Sequence, residues 1–269
     1  MIRLAGTTMT PTLSHRDLIC QKRFSLGSWI QLPDVFSAEI MARAGYDWLA
    51  IDLEHGLIDL SAAYQLIQVI NLNGCIPLVR LNENDPSLIR RVMDAGAGGV
   101  IVPMINTAEE AEHVVKAVKY SPAGERSYGL GRAHDFGKTF DTYIKTSNES
   151  SIVVVQIEHI DSLKNLEQIL KVKGIDAMII GPYDLSGSMG IAGQFDNPGF
   201  EEKIRSIISK VKKSPVALGM HIVHISDEDL QRRMREGFTF IGYGMDTLLI
   251  SEGSQNAVNG ARQRFREKS

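Results

Sequence analysis

Eight short apolar runs, most of them rich in β-branched residues, alternate along this chain with segments of helical period, and no other feature restricts the fold as strongly. The runs are "SLGSWIQL" (25–32), "WLAIDL" (48–53), "IPLVRL" (76–81), "GVIVPMI" (99–105), "IVVVQIE" (152–158), "AMIIGPYD" (177–184), "VALGMHIV" (216–223) and "FTFIGYGMD" (238–246). Between them, "VFSAEIMARAG", "LSAAYQLIQVINLNG", "DPSLIRRVMDAG", "TAEEAEHVVKAVKY", "SLKNLEQILKV", "EEKIRSIISKVKK" and "SDEDLQRRMREG" are apolar at i, i+3 and i+4 and mostly close on Gly or Lys. Strict strand–helix alternation means parallel strands joined by right-handed crossovers. Eight such units in 269 residues predict one closed α/β domain, a (β/α)8 barrel over residues 25–269. An open doubly wound sheet is the other arrangement this pattern allows. Residues 1–24 read as a polar N-terminal extension, residues 247–269 as a last helix, and the Gly-rich stretch 120–150 as an excursion too long for a simple connection. That excursion follows a helix, so it starts on the face opposite the expected active site.

Composition narrows the function. With 29 Lys and Arg against 32 Asp and Glu, the net charge of −3 offers no electrostatic footprint for nucleic acid or an anionic membrane. A small-molecule partner is expected. The two cysteines, Cys20 and Cys75, form no C-x-x-C pair, which fits a reducing compartment. The N-terminus lacks an uninterrupted apolar core of a signal peptide, and no stretch approaches the ~20 apolar residues of a membrane span. The reading is a cytoplasmic protein.

In a barrel of this kind the active site lies at the C-terminal ends of the strands, so the polar residues there are the candidates. They are Gln31, then Asp52, Glu54 and His55, then Arg80, Gln156 and Glu158, Asp184, and His221 late in the seventh run. Ending a buried strand in a charge is costly unless the charge is paired, hydrogen-bonded or coordinated. Glu158 and Asp184, each just past an apolar run on adjacent strands, suit two hard oxygen ligands converging on Mg2+ or Mn2+, with Co2+ as a further candidate. Such a cation would hold a 2-oxo acid; alternatively, each carboxylate caps the helix that follows. Arg80, a planar and permanently charged fork, suits an oxyanion; the alternative is a structural ion pair with Asp52 or Glu54. His55 with Asp52 in reach makes an oriented base, or else a satisfied histidine at a strand end.

Several familiar motifs are missing. "AGAGGVIVPM" ends a helix and precedes a strand, the reverse of a dinucleotide fingerprint. There is no Gly-x-Ser-x-Gly elbow, and no strand run carries the lysine that a Schiff base needs.

Taken together, "GSWIQL", "AGYDWLAIDLEHG", "PLVRL", "GAGGVIVPM", "VVVQIE", "IDAMIIGPYDLSGSMG" and "GYGMDTLL" resemble the HpcH/HpaI aldolases, the metal-dependent pyruvate aldolases named for 2,4-dihydroxyhept-2-ene-1,7-dioate aldolase. The resemblance implies a (β/α)8 barrel, usually a homo-hexamer with its final helix exchanged between subunits, cleaving 4-hydroxy-2-oxo acids to pyruvate and an aldehyde. It also implies Glu158 and Asp184 as metal ligands, Arg80 as binder of the keto or enolate oxygen, His55 as acid/base and Asp52 as its orienting partner. Gln156, Gly181, Pro182 and Tyr183 fall where that family cradles pyruvate, with Tyr183 replacing a residue that is small in many members. Glu54 reads as structural. Two other outcomes remain at this stage: a metal-independent, citrate-forming condensation of oxaloacetate with acetyl-CoA, as in siderophore pathways, and a catalytically silent oligomeric barrel.

Overall fold

The computed structural model describes residues 15–20 and 23–266. Eight parallel strands, β1 (Ser25–Ile30), β2 (Trp48–Asp52), β3 (Ile76–Arg80), β4 (Gly99–Val102), β5 (Ile152–Ile157), β6 (Ala177–Ile180), β7 (Ala217–Ile222) and β8 (Phe240–Met245), pair in chain order, and β8 returns to β1. The barrel is closed, which disposes of the open sheet. Around it run α1 (His15–Cys20), α2 (Val35–Arg43), α3 (Leu60–Leu72), α4 (Pro86–Asp94), α5 (Ala108–Val118), α6 (Phe140–Ser150), α7 (Ile160–Lys164), α8 (Leu166–Ile169), α9 (Pro182–Ser188), α10 (Pro198–Val211), α11 (Asp227–Glu236) and α12 (Asp246–Arg266).

Strand parity divides the core into two layers. Leu49, Ile51, Val79, Val153 and Val155 face outward onto the helices. Trp48, Ala50, Ile76, Leu78, Ile152 and Val154 face inward and fill the barrel, where Trp48 stacks on Phe240 with ring centroids 4.3 Å apart. Followed two residues further, the inward set of β2, β3 and β5 reaches Asp52, Arg80 and Gln156. The apolar lower layers therefore carry a polar uppermost layer on the same face.

The helices start where side chains accept their free N–H groups: Asp34, Asp59 and Asp85 cap α2, α3 and α4, and Thr107 with Glu110 forms a capping box on α5. Two strands stop sooner than the apolar runs suggest. β4 ends at Val102 because Pro103 has no N–H to donate to a ladder. β6 ends at Ile180 because Pro182 opens α9 at the helical position that tolerates proline.

The excursion is helical in part and stays on the face opposite the strand C-termini. Arg126 reaches Asp94, at the end of α4, at 2.6 Å, and Arg132 donates to Asn71 of α3 at 3.1 Å. Part of the N-terminal extension lies outside the described residues, but α1 is more than a polar lead: Ile19 is fully buried with the inward layer, and Arg16 pairs with Asp176 at 2.6 Å. Among the described residues no helix is long and apolar enough to cross a membrane.

Candidate active site

Each expected site residue lies at or just beyond the C-terminal end of a strand, and most of them line one cavity of about 230 Å3: His55, Arg80, Gln156, Gly181, Pro182, Tyr183 and Asp184. A larger cavity of about 520 Å3 lies between the excursion and the ends of α3 and α4. It is at the end of the barrel that carries stability rather than chemistry.

Asp52 and Arg80 meet on neighbouring strands, registered directly opposite each other. Arg80 donates from Nε to Asp52 Oδ1 at 2.9 Å and from Nη2 to Oδ2 at 2.6 Å, a bidentate grip between two buried side chains. Gln31 Nε2 adds a bond to Oδ2 at 3.0 Å, and the main-chain N–H groups of Glu54 and His55 each reach Oδ1 at 3.1 Å. Burial pushes the Asp52 carboxyl up, but the hydrogen bonds and charge of Arg80, with Gln31 and the His55 N–H, outweigh it and hold it below the usual carboxylate range. This differs from the expected side-chain dyad. Among the described residues, the bond joining Asp52 to His55 comes from the His55 main chain, so Asp52 sets the turn that carries His55 while its oxygens hold Arg80.

Glu54, expected to be structural, also turns back to the site and pairs with Arg80 Nη1 at 3.2 Å. Burial, the largest influence, pushes its carboxyl up, against the pull of Arg80. The Arg80 guanidinium is thus clamped by carboxylates on two sides, and two of its five N–H groups are spent on Asp52.

Glu158 follows β5 and is buried; the residue that caps α7 is His159, so helix capping does not account for Glu158. Its Oε1 accepts the Met104 N–H at 2.7 Å, and its Oε2 accepts Gln156 Nε2. Burial raises its carboxyl above the usual range, and the nearby charge of Asp184 adds to the rise, despite these two donors. Gly181 makes room for it: a Cβ there would lie 2.6 Å from Glu158 Oε2. Asp184 is not at a strand end as expected but in the first turn of α9, still on the cavity wall. Tyr183 is 64% exposed at the rim, edge-on to Phe195 at 4.8 Å.

Sequence reasoning gave His221 little weight and overlooked Trp29. The His221 ring lies on Trp29 with centroids 4.5 Å apart, and its Nε2 meets the Gly244 carbonyl at 3.0 Å. Burial first, with the Arg80 charge adding to it, lowers its pKa to about 4. The inward parity of positions 29 and 221 was the available signal. Cys75 is free and buried, its thiol pushed up to about 12, so it is no nucleophile.

Comparison with known proteins agrees with this fold. Residues 25–252 match the family described as HpcH/HpaI aldolase/citrate lyase. The chain is 38% identical over 245 residues to a 4-hydroxy-2-oxo-heptane-1,7-dioate aldolase of Klebsiella pneumoniae, covering 90% of this chain and 91% of that one. Among solved structures it resembles an HpcH/HpaI aldolase/citrate lyase family protein of Burkholderia cenocepacia, at a TM-score of 0.85 and 29% identity over 92% of this chain and 98% of that one. It also resembles the citrate synthase SbnG, at a TM-score of 0.83 and 26% identity over 94% and 99%. A closed barrel with this strand-end set, matched over most of its length, belongs to the HpcH/HpaI aldolase/citrate lyase family.

Proposed function

We propose that this protein is a carbon–carbon lyase that cleaves a 4-hydroxy-2-oxo acid to pyruvate and an aldehyde, and runs the reverse condensation, with a divalent cation of the Mg2+ or Mn2+ type. The observation that carries the reading is the pre-formed Arg80 fork, held by Asp52 on a small cavity that Asp184 lines from the first turn of α9, with buried Glu158 just past β5 behind Gly181. A cavity of about 230 Å3 suits a small acid.

Glu158 and Asp184 fit the cation. The Asp184 charge raises the cost of charge on Glu158, Glu158 is buried, and each of its oxygens accepts one donor while retaining lone pairs. With these two carboxylates the protein would supply two oxygen ligands and leave the rest of the shell to water and substrate, as Mg2+ favours. Bound there, the cation supplies a Lewis acid for the 2-oxo acid.

The remaining work falls to the chain. Arg80 directs its free N–H groups at the oxygen that gains charge as the bond between C3 and C4 breaks. Because Asp52 and Glu54 already fix it, little reorganisation is needed. His55 accepts the proton of the 4-hydroxyl, which lets the aldehyde leave. Neutral His221 and Trp29 form an apolar, uncharged wall beside Arg80. Gln156, through the Nε2 hydrogen that Glu158 does not take, holds the acid's carboxylate end, Gly181 and Pro182 shape the wall beside it, and Tyr183 meets the aldehyde portion at the rim. The chain assembles as a homo-oligomer, with α12 as the element that packs on a partner.

The test is exchange of the pyruvate methyl protons in deuterated water, followed by NMR on chelator-treated protein with and without Mn2+. Metal-dependent exchange that disappears in Asp184→Ala supports the reading. Absence of exchange under any metal overturns it and directs attention to oxaloacetate with acetyl-CoA.

A further inference from the structure

Among the described residues, three that are not glycine have positive φ, and one of them, Met104 at +55°, stands at the candidate site. The other two, Asp135 and Phe136, lie in the excursion. Left-handed backbone suits Gly, Asn and Asp; an unbranched apolar residue gains nothing local from it and holds it only where its surroundings impose it.

Here they do. Ile105 N–H bonds the Gln156 carbonyl at 3.2 Å. Asn106 donates from Nδ2 to the Met104 carbonyl at 3.0 Å, its own N–H is taken by Glu110 Oε2 at 2.6 Å, and its carbonyl accepts Asn165 Nδ2 at 2.9 Å. The loop after β4 is therefore pinned at and just past Met104, from β5 and from the capping box of α5. The result of the imposed turn is one contact: the Met104 N–H points at Glu158 Oε1 at 2.7 Å. The side chain is not what the site uses, since it is 46% exposed.

We infer that Met104 is a positioning residue whose left-handed main chain aims its N–H at Glu158 and so fixes the carboxylate that receives the cation. The inference rests on the aldolase reading, and it makes position 104 sensitive to backbone preference rather than to side-chain chemistry. Glycine and asparagine keep both the turn and the N–H. A β-branched residue resists positive φ and swings the N–H away.

The experiment is titration of chelator-treated protein with Mn2+, without substrate, reading free Mn2+ by electron paramagnetic resonance, on wild type, Met104→Gly, Met104→Asn and Met104→Val. Losing a charge-assisted hydrogen bond to a ligand should weaken Mn2+ binding about tenfold in Met104→Val, while the Gly and Asn variants stay within about threefold of wild type. A merely structural role would lower the melting temperature of Met104→Val and leave Mn2+ affinity of the folded protein unchanged. Should Met104→Val not fold, Asn106→Ala, which releases the Met104 carbonyl, should weaken binding by about threefold or more. Wild-type affinity in Met104→Val, or in Asn106→Ala where that variant stands in, overturns the inference alone. So does loss of binding in Met104→Gly. A wild-type protein that binds no Mn2+ overturns the aldolase reading and the inference with it.

Discussion

At the scale of single residues, the Asp52 and Arg80 pair decides how a mutation at the site must be read. Sequence alone leaves Arg80 as an oxyanion binder or a structural ion pair, and the structure places its partner carboxylate in full burial. Removing Arg80 leaves that charge without its counter-ion, which costs about 3–5 kcal/mol. Arg80→Ala should therefore lose both turnover and stability, Asp52→Ala likewise, and the double variant should regain part of the stability but none of the activity. A double-mutant cycle by chemical denaturation, run beside the aldol assay, reads this; strictly additive stabilities would refute the coupling. His221 supplies a separate pH signature. Its folded pKa of about 4 lies below the ordinary 6.5, so the unfolded chain binds the proton first and stability falls as pH drops from 6.5 through 4. The loss due to Asp52, whose carboxyl is held low, begins only below its ordinary 3.8. His221→Phe, which keeps a ring on Trp29, should flatten the upper window and leave the lower one. Equal pH dependence in wild type and variant between pH 4 and 6.5 would show that His221 is not the group responsible.

At the scale of elements, close packing between strands is what brings the site residues into register. Gly27 of β1 lies against the Trp48 ring, and a Cβ there would be 2.0 Å from it. Trp48 is itself wedged between Trp29 and Phe240, so it has nowhere to move. Gly27→Ala should thus behave as an overpacked core and cost about 1–3 kcal/mol, or a fall of several degrees in melting temperature. An unchanged melt would mean the ring relaxes freely. Elements were also where the sequence was most legible. The eight runs correspond to the eight strands, and counting by twos along β2, β3 and β5 leads from Trp48, Ile76 and Ile152 to Asp52, Arg80 and Gln156. Parity is a local property, so a local pattern reveals it. What was not legible depends on contacts distant in sequence. The Asp52–Arg80 pair was one of the arrangements the sequence allowed, but nothing near Asp52 decides between Arg80, 28 residues away, and the His55 ring. Nothing near Met104 shows that its N–H serves Glu158, 54 residues on. The early ends of β4 and β6 were in principle readable from Pro103 and Pro182, and the latter moves Asp184 from a strand end into a helical turn.

At the scale of the whole molecule, α12 is difficult to explain in an isolated barrel. Only its first residue, Asp246, is buried, and that carboxylate is occupied in accepting the N–H groups of Gln31 and Leu32 past the end of β1. Beyond it the helix runs for some 30 Å at ~1.5 Å per residue, with Ile250, Val258 and Phe265 exposed. At ~100° per residue these three fall within about 80° of one another, with Ser254 and Ala261 between them. An apolar stripe interleaved with small residues on an otherwise polar helix has the form of a surface made for close packing. In keeping with the proposed homo-oligomer, wild-type protein should elute above monomer mass on size exclusion with light scattering. Val258→Asp with Phe265→Asp should shift it to a smaller species. Because Val258 and Phe265 are exposed, the far-ultraviolet spectrum should stay that of a folded (β/α)8 domain. A wild-type protein that is monomeric at high concentration, or a double variant that assembles as wild type does, would remove α12 from the interface. A variant that unfolds instead would show that the stripe supports the barrel itself.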